Sequence, residues 1–361
     1  MVEAPTVHED AAARDTMLDT AKGIAVLGVV LIHAHAWLGA VGVHADALDF
    51  VTGRMTIPLP EFFFVSGAVV ASSIVGPEAS PATLRRRVAS ILWVYVLWQP
   101  VVFGYRVLGD TAVTRETTDW PGEIARFLAF PVRPNGELWY LWALAVSLAV
   151  TYLTRRVPGP LVIAIATTLF VTVYPFGRSF IGPERWHQLG PGLQQVLPHA
   201  VFVVVGVRYG SVLIGLFARM RWWQAVIAVA VWQGYAAALA TAPSGAREAG
   251  VVLQVVLGFI ATFAVARSLT SVRSVRPLAA LGRQSLPIYL LHTTVIVVLL
   301  AICVATDVVS VIRAATIPFA IALVALSVST ALGISVVVRR ARAGWLFRAP
   351  PAVLGGSGDR P

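Results

Sequence analysis

Lys22 and His33 are the residues of this sequence whose types and spacing most clearly could do chemistry. Both lie in the stretch Asp15 to Trp37, DTMLDTAKGIAVLGVVLIHAHAW, which opens polar and turns apolar at Gly23. It then carries His33 and His35 where hydrocarbon is expected. Lys22, the only lysine of the chain, precedes His33 by eleven positions. Eleven helical steps of about 100° close to within roughly 20°, so the two share one face, about 16 Å apart. Asp19 lies one turn earlier on the same side. An ionisable residue in a membrane helix is costly unless it faces protein or water, and therefore marks a functional site. An imidazole so placed can take a proton from a reacting group, or serve in a proton relay through a transporter. His35, about 200° round the helix from His33, reads at least as well as a hydrogen-bonded core histidine.

The elements that must position these residues are membrane helices. Hydrophobic residues make up 57% of the 361 and charged residues only 13%, against about 25% charged in soluble proteins. Apolar runs near 20 residues long suffice to cross a hydrocarbon layer of about 30 Å. The sequence predicts an all-α, polytopic integral membrane protein. Ten spans fall at roughly 22–42, 58–76, 88–108, 137–154, 160–177, 196–216, 223–242, 249–267, 284–304 and 315–338. They form a single transmembrane domain over 1–338, followed by a basic, Pro/Gly-rich tail over 339–361 that is expected to lack fixed structure beyond Arg348.

The net charge of +10 could suit nucleic acid, but the arginines fall in alternate short connections, which is the positive-inside pattern. With a cytoplasmic N-terminus, every even connection is arginine-rich (Arg85 to Arg87, Arg155 and Arg156, Arg219 and Arg221) and every odd one carries acids. Both termini are then cytoplasmic, in the cell (plasma or inner) membrane, with lipids and not nucleic acid as surroundings. Cys303 is the only cysteine, so there is no disulfide framework, and no Cys/His spacing suits a metal. Residues 1–20 show no apolar core before a cleavage site, so the first helix is expected to direct insertion. The two longest outer connections, about 109–136 and 178–195, are rich in Trp, Pro and hydrogen-bonding side chains. As loops they would suit recognition of a carbohydrate or glycolipid, or serve simply as solvated connections.

Four motifs in order resemble a known family. LDTAKGIAVLGVVLIH is similar to the opening helix of the acyltransferase 3 family, whose signature is a basic residue, ten positions and a histidine. PEFFFVSGAVV is similar to its Phe-rich segment ending in Ser-Gly, GELWYLWAL to its Leu-Trp-Tyr-Leu motif, and LGRQSLPIYLLHT to its Gly-Arg-x-Ser-Leu…Tyr-Leu-x-His motif. The Lys-Gly form in the first helix looks closest to the fucose 4-O-acetylase-like branch. The resemblance implies an O-acyltransferase moving an acetyl (acyl) group from cytoplasmic acetyl-CoA (acyl-CoA) to a hydroxyl of an extracytoplasmic carbohydrate or glycolipid. No cofactor is held permanently; acyl-CoA is the donor substrate. It also implies His33 as catalytic base and Lys22 as its basic partner. Positioned proton transfer is worth typically 10²–10⁴-fold; an acyl-histidine intermediate is an alternative.

Other residues carry two readings each. Lys22 could approach the CoA phosphates or snorkel to the interface; Asp19 could orient it or cap the helix. Arg86 and Arg87 could bind CoA or only set topology, and the family's second arginine, three positions on, is Ser90 here. Glu61 could contact the acceptor or favour the helix dipole. Ser66, with Gly67, suits close helix packing as well as a site wall. Trp139 and Tyr140 could stack on a sugar or form an aromatic belt, with Glu137 before them as an acceptor ligand. Arg283, Ser285, Tyr289 and His292 form a second wall of the site, on the family motif. His199 reads as structural. The rival function is a secondary transporter or exporter of a small or glycosylated metabolite with a midplane histidine. That class often shows repeated halves, which this sequence does not. A hydrophobic secondary metabolite, such as a macrolide sugar, is a further acceptor class.

Overall fold

With no water to bond a bare backbone, a chain in hydrocarbon must satisfy its N–H and C=O groups within each segment. The computed structural model describes residues 7–55 and 59–354, and among these the regular structure is helical throughout. In chain order come α1 (Val7–Ala40), α2 (Asp46–Arg54), α3 (Leu59–Val69), α4 (Ala71–Ile74), α5 (Pro81–Leu97) and α6 (Gln99–Leu108). Then follow α7 (Trp120–Leu128), α8 (Trp139–Leu153), α9 (Gly159–Ile181), α10 (Pro183–Ala218) and α11 (Trp222–Ala240). The chain closes with α12 (Ser244–Leu269), α13 (Arg276–Arg283), α14 (Ser285–Ala305), α15 (Val309–Ala314) and α16 (Thr316–Arg340). Among the described residues, nine helical stretches are long and apolar enough to cross a membrane, so the protein is a polytopic membrane protein.

The second of the ten expected spans is not one continuous helix. Its start, residues 56–58, lies outside the described residues, and its helix breaks at Val70 into α3 and α4. The Ser73 hydroxyl donates to the Val70 carbonyl at 3.1 Å, the local bond by which serine competes with a helix ladder. This segment is not among the nine stretches long and apolar enough to cross. Leu59, Phe62 and Ser66 of α3 line the Lys22 cavity, and Leu59 also the His33 one. At the far end of the chain Arg339 donates to Gln284 at 3.0 Å, next to Ser285 of the Lys22 cavity. Lys22 of α1 and the end of α16 therefore lie at the same end of the bundle.

Two of the expected loops are largely helical. Residues 178–195 continue α9 and begin α10: Gly182 (φ +91) makes the turn and Pro183 starts the next helix. Gly190 (φ +69) then kinks α10. Residues 109–136 hold a π-turn at Gly109–Val113 and α7, whose N-cap Asp119 accepts from the Gly122 amide at 3.2 Å. The tail is also ordered further than its composition suggests. Trp93 and Trp98 donate their indole N–H groups to the carbonyls of Trp345 and Leu346, each at 2.8 Å. Phe347 stacks on Trp98 at 5.8 Å, and Ala349 is buried. Residues 355–361 lie outside the described residues.

α1 occupies the centre and is wedged against α13 by two glycines. A Cβ on Gly23 would meet the Leu278 carbonyl, and one on Gly282 would meet the Asp19 carbonyl and the Gly23 nitrogen. Small residues let helix backbones approach in membranes; here they carry the Lys22 end of α1 against the segment leading into α14. Backbone neighbours cannot give way as a flexible side chain can. Gly282→Ala is therefore expected to lose about 1–3 kcal/mol through overpacking. Gly104→Ala, with nothing within 4 Å of the added carbon, should not be destabilising. Thermal unfolding of both variants in detergent micelles checks this.

Candidate active site

Three cavities lie end to end along α1. The first, about 240 Å³, is lined by Lys22, Phe62, Ser66, Ile91, Ser285 and Tyr289 among others. The second, about 110 Å³, is lined by His33, Leu59, Glu137, Trp139, Tyr140 and Tyr289 among others. The third, about 280 Å³, adds Trp37, Tyr105, Arg106, Asp110 and Thr293 to His33, Glu137 and Trp139. Leu59, Tyr140 and Tyr289 form the wall common to the first two. His33, Glu137 and Trp139 form the wall common to the second and third. The eleven-residue spacing of Lys22 and His33 thus puts Lys22 in the first cavity and His33 where the second and third adjoin.

His33 is held by rings and not by hydrogen bonds. Among the described residues no group hydrogen-bonds its imidazole, and the His292 ring meets it edge-on at 4.9 Å. His292 is fully buried, and its Nδ1 points at the carbonyls of Tyr289 (2.7 Å) and Ile288 (3.2 Å). Nδ1 therefore carries a proton, and Nε2 lies 3.2 Å from the Thr293 hydroxyl. That arrangement is a fixed support for His33. His35 serves elsewhere: its Nε2 pairs with Asp49 at 2.6 Å and its Nδ1 with the Thr52 hydroxyl at 2.8 Å, fastening α2 to α1.

Glu137 is the carboxylate of the site. It is 5% exposed, accepts from the Tyr105 hydroxyl at 2.6 Å, and acts electrostatically on His33. The Tyr289 hydroxyl donates to its main-chain carbonyl. Tyr140 shares a hydrogen bond with Ser66 at 3.1 Å, so Ser66 is a polar wall residue. The packing role falls to Gly67, where a Cβ would meet the Val203 carbonyl of α10. His199 sits behind Trp139 at 5.9 Å, its Nδ1 donating to the Gln195 carbonyl at 2.9 Å.

At the opposite end Lys22 pairs with Asp19 at 2.7 Å, and Asp19 also meets Arg283 at 3.5 Å. Of the expected second wall, Ser285 and Tyr289 line the path, whereas Arg283 meets Asp19 and His292 backs the His33 ring without lining it. Arg87 precedes the cavity residue Ile91 by four positions and so shares its helix face. Arg86 instead lines a cleft of about 660 Å³ with Arg342 and Arg348. Glu61 does not belong to this path; it lines a different cavity, because the face of α3 that carries it is turned from the one carrying Leu59 and Phe62.

Tyr105, Arg106 and Glu123 were not singled out by the sequence reading. Arg106 donates two parallel bonds to the Glu123 carboxylate, at 2.9 and 2.8 Å, a bidentate geometry that fixes the guanidinium. Arg126 donates to the same carboxylate. The signal available in the sequence was an arginine and an acid four apart, Arg106 and Asp110, closing a long apolar helix.

A membrane bundle with a histidine shared by two adjoining cavities defines the class. The acyltransferase 3 family model, described as an acyltransferase domain, matches residues 16–337, and the chain belongs to that family. No curated protein and no solved structure matches it. The protein is therefore a membrane acyltransferase, and the match does not favour a transporter.

Arg106, through its hydrogen bonds and charge, holds the Glu123 carboxyl below its ordinary value near 4.5. A depressed folded value means that the contact contributes fully above the unfolded value and is lost as the pH falls through the folded one. The protection factors of the α7 amides, taken relative to intrinsic exchange at each pH, should accordingly fall on acidification below about pH 4.5. In Glu123→Gln they should be low already at neutral pH, with that acid dependence gone.

Proposed function

We propose that this enzyme transfers an acetyl or other short acyl group from acyl-CoA to a hydroxyl of a carbohydrate or glycolipid on the far side of the membrane. His33 acts as general base. The observation that carries the reading is the position of His33. It is the ring shared by two adjoining cavities, one leading toward Lys22 and the other toward Arg106. The arginine-rich connections favour a cytoplasmic Lys22 end, so donor and acceptor would approach from opposite compartments.

In this reading Lys22, oriented by Asp19 and flanked by Arg283 and Arg87, meets the anionic portion of the donor as a compact cation. The acyl arm enters between Ser66, Tyr140, Ser285 and Tyr289. The acceptor enters past Arg106 and Trp37, with Trp139 as a stacking face. The acceptor oxygen forms a bond to the thioester carbonyl carbon and its proton passes to an unpartnered nitrogen of His33. The carbon–sulfur bond then breaks, and the thiolate recovers that proton from the ring. Glu137 stabilises the positive charge held on the imidazole between those steps, as a carboxylate does beside a catalytic histidine. The envelope setting suits the modification of a cell-surface glycan or lipid-linked sugar.

Membranes carrying the protein, given radiolabelled acetyl-CoA, should label a polysaccharide or glycolipid fraction. His33→Ala should lower the rate by about 10²–10⁴-fold with insertion intact, and Lys22→Ala should act chiefly by raising the KM for acetyl-CoA. Labelling that persists in His33→Ala contradicts the role of this ring, and the absence of label from acetyl-CoA with the native chain contradicts the donor.

A further inference from the structure

A separate cavity of about 370 Å³ opens between α1, α2, α3, α11 and α12 and shares no lining residue with the path through His33. Its walls are apolar, from Ile24, Phe50, Val51, Val229 and Val265, apart from Glu61, Trp232, Gln233 and Thr262. Glu61 is 2% exposed, with Oε2 unpartnered. The buried indole N–H of Trp232 is also unpartnered, and Thr262 lies beside the carboxyl. A buried polar group left without a partner costs about 1–3 kcal/mol, and two in one cavity point to a ligand that satisfies both.

We propose that this crevice binds a lipid alcohol, its hydroxyl held between the Glu61 carboxyl and the Trp232 indole and its chain along the apolar wall. Phe50 (57% exposed) and Val51 (44% exposed) stand at its rim, and α11 is largely exposed along its length, so the ligand arrives from the bilayer and has an apolar body. A hydroxyl head suits Glu61 and Trp232 because a single atom can both donate to a carboxyl oxygen and accept from an N–H. An ammonium offers no acceptor to Trp232. A phosphate would face the carboxylate with no cation in the lining, since Arg54 lies over the Phe50 ring at 3.5 Å instead.

The test uses the purified full chain in micelles, a photoreactive diazirine analogue of dodecanol, and mass spectrometry of the labelled peptides. Label should fall on α11 and α12, and dodecanol should compete at about tenfold lower concentration than dodecane. Trp232→Phe keeps the ring and removes the N–H; Glu61→Leu removes a buried unpartnered acid. Each should weaken competition by dodecanol about fivefold, and if Glu61→Leu does not fold, Trp232→Phe decides. Equal competition by dodecane, stronger competition by dodecylamine, label confined to the His33 cavities, or a Trp232→Phe protein indistinguishable from the native one would each overturn the assignment.

Discussion

An imidazole with no hydrogen-bond partner can persist at membrane depth only where protein and a polar cavity, not lipid, surround it. The fold is arranged to meet that condition for His33. α14 supplies His292, whose Nδ1 is engaged by two carbonyls and whose ring meets His33 edge-on, so the neighbour is a wall and not a hydrogen-bonding partner. The Glu137 carboxylate lies within electrostatic reach but is engaged by Tyr105. The ring nitrogens of His33 are thereby left for whatever occupies the cavities on either side.

The same condition explains the glycines. Gly23 and Gly282 bring α1 and α13 to backbone contact, which carries Ser285 and Tyr289 of the following α14 against the Lys22 half of α1. On the other side Gly67 and Gly206 do the same for α3 and α10, seating Phe63 against Tyr140 and His199. A bundle held at these interfaces by close backbone approach leaves larger gaps along α1, where side chains and not backbones meet. Those gaps are the path.

Much of this was legible in the sequence because it rests on helical periodicity. The spacing of Lys22 and His33, the pairing of Tyr289 with His292 and nine of the ten expected crossings follow from steps of about 100° and spans near 20 residues. What stayed hidden depended on tertiary contact. The two apparent loops are helical because Pro183 and the Asp119 cap start helices there. The tail is ordered because Trp93 and Trp98 reach its carbonyls from another helix. Glu61 could be placed on α3 but not on a face, since only the packing of α12 and α11 decides which way it points. Arg106 drew no notice because its partner Glu123 is distant in sequence and hidden among ordinary loop acids.

The central claim is that position 33 is reachable from both ends of the bundle. The direct measurement places a cysteine there, in a background with Cys303→Ala, and treats sealed vesicles of each orientation with a small charged methanethiosulfonate. The account predicts modification from either face. Reaction with lipid-soluble thiol reagents alone, or with none, would contradict it.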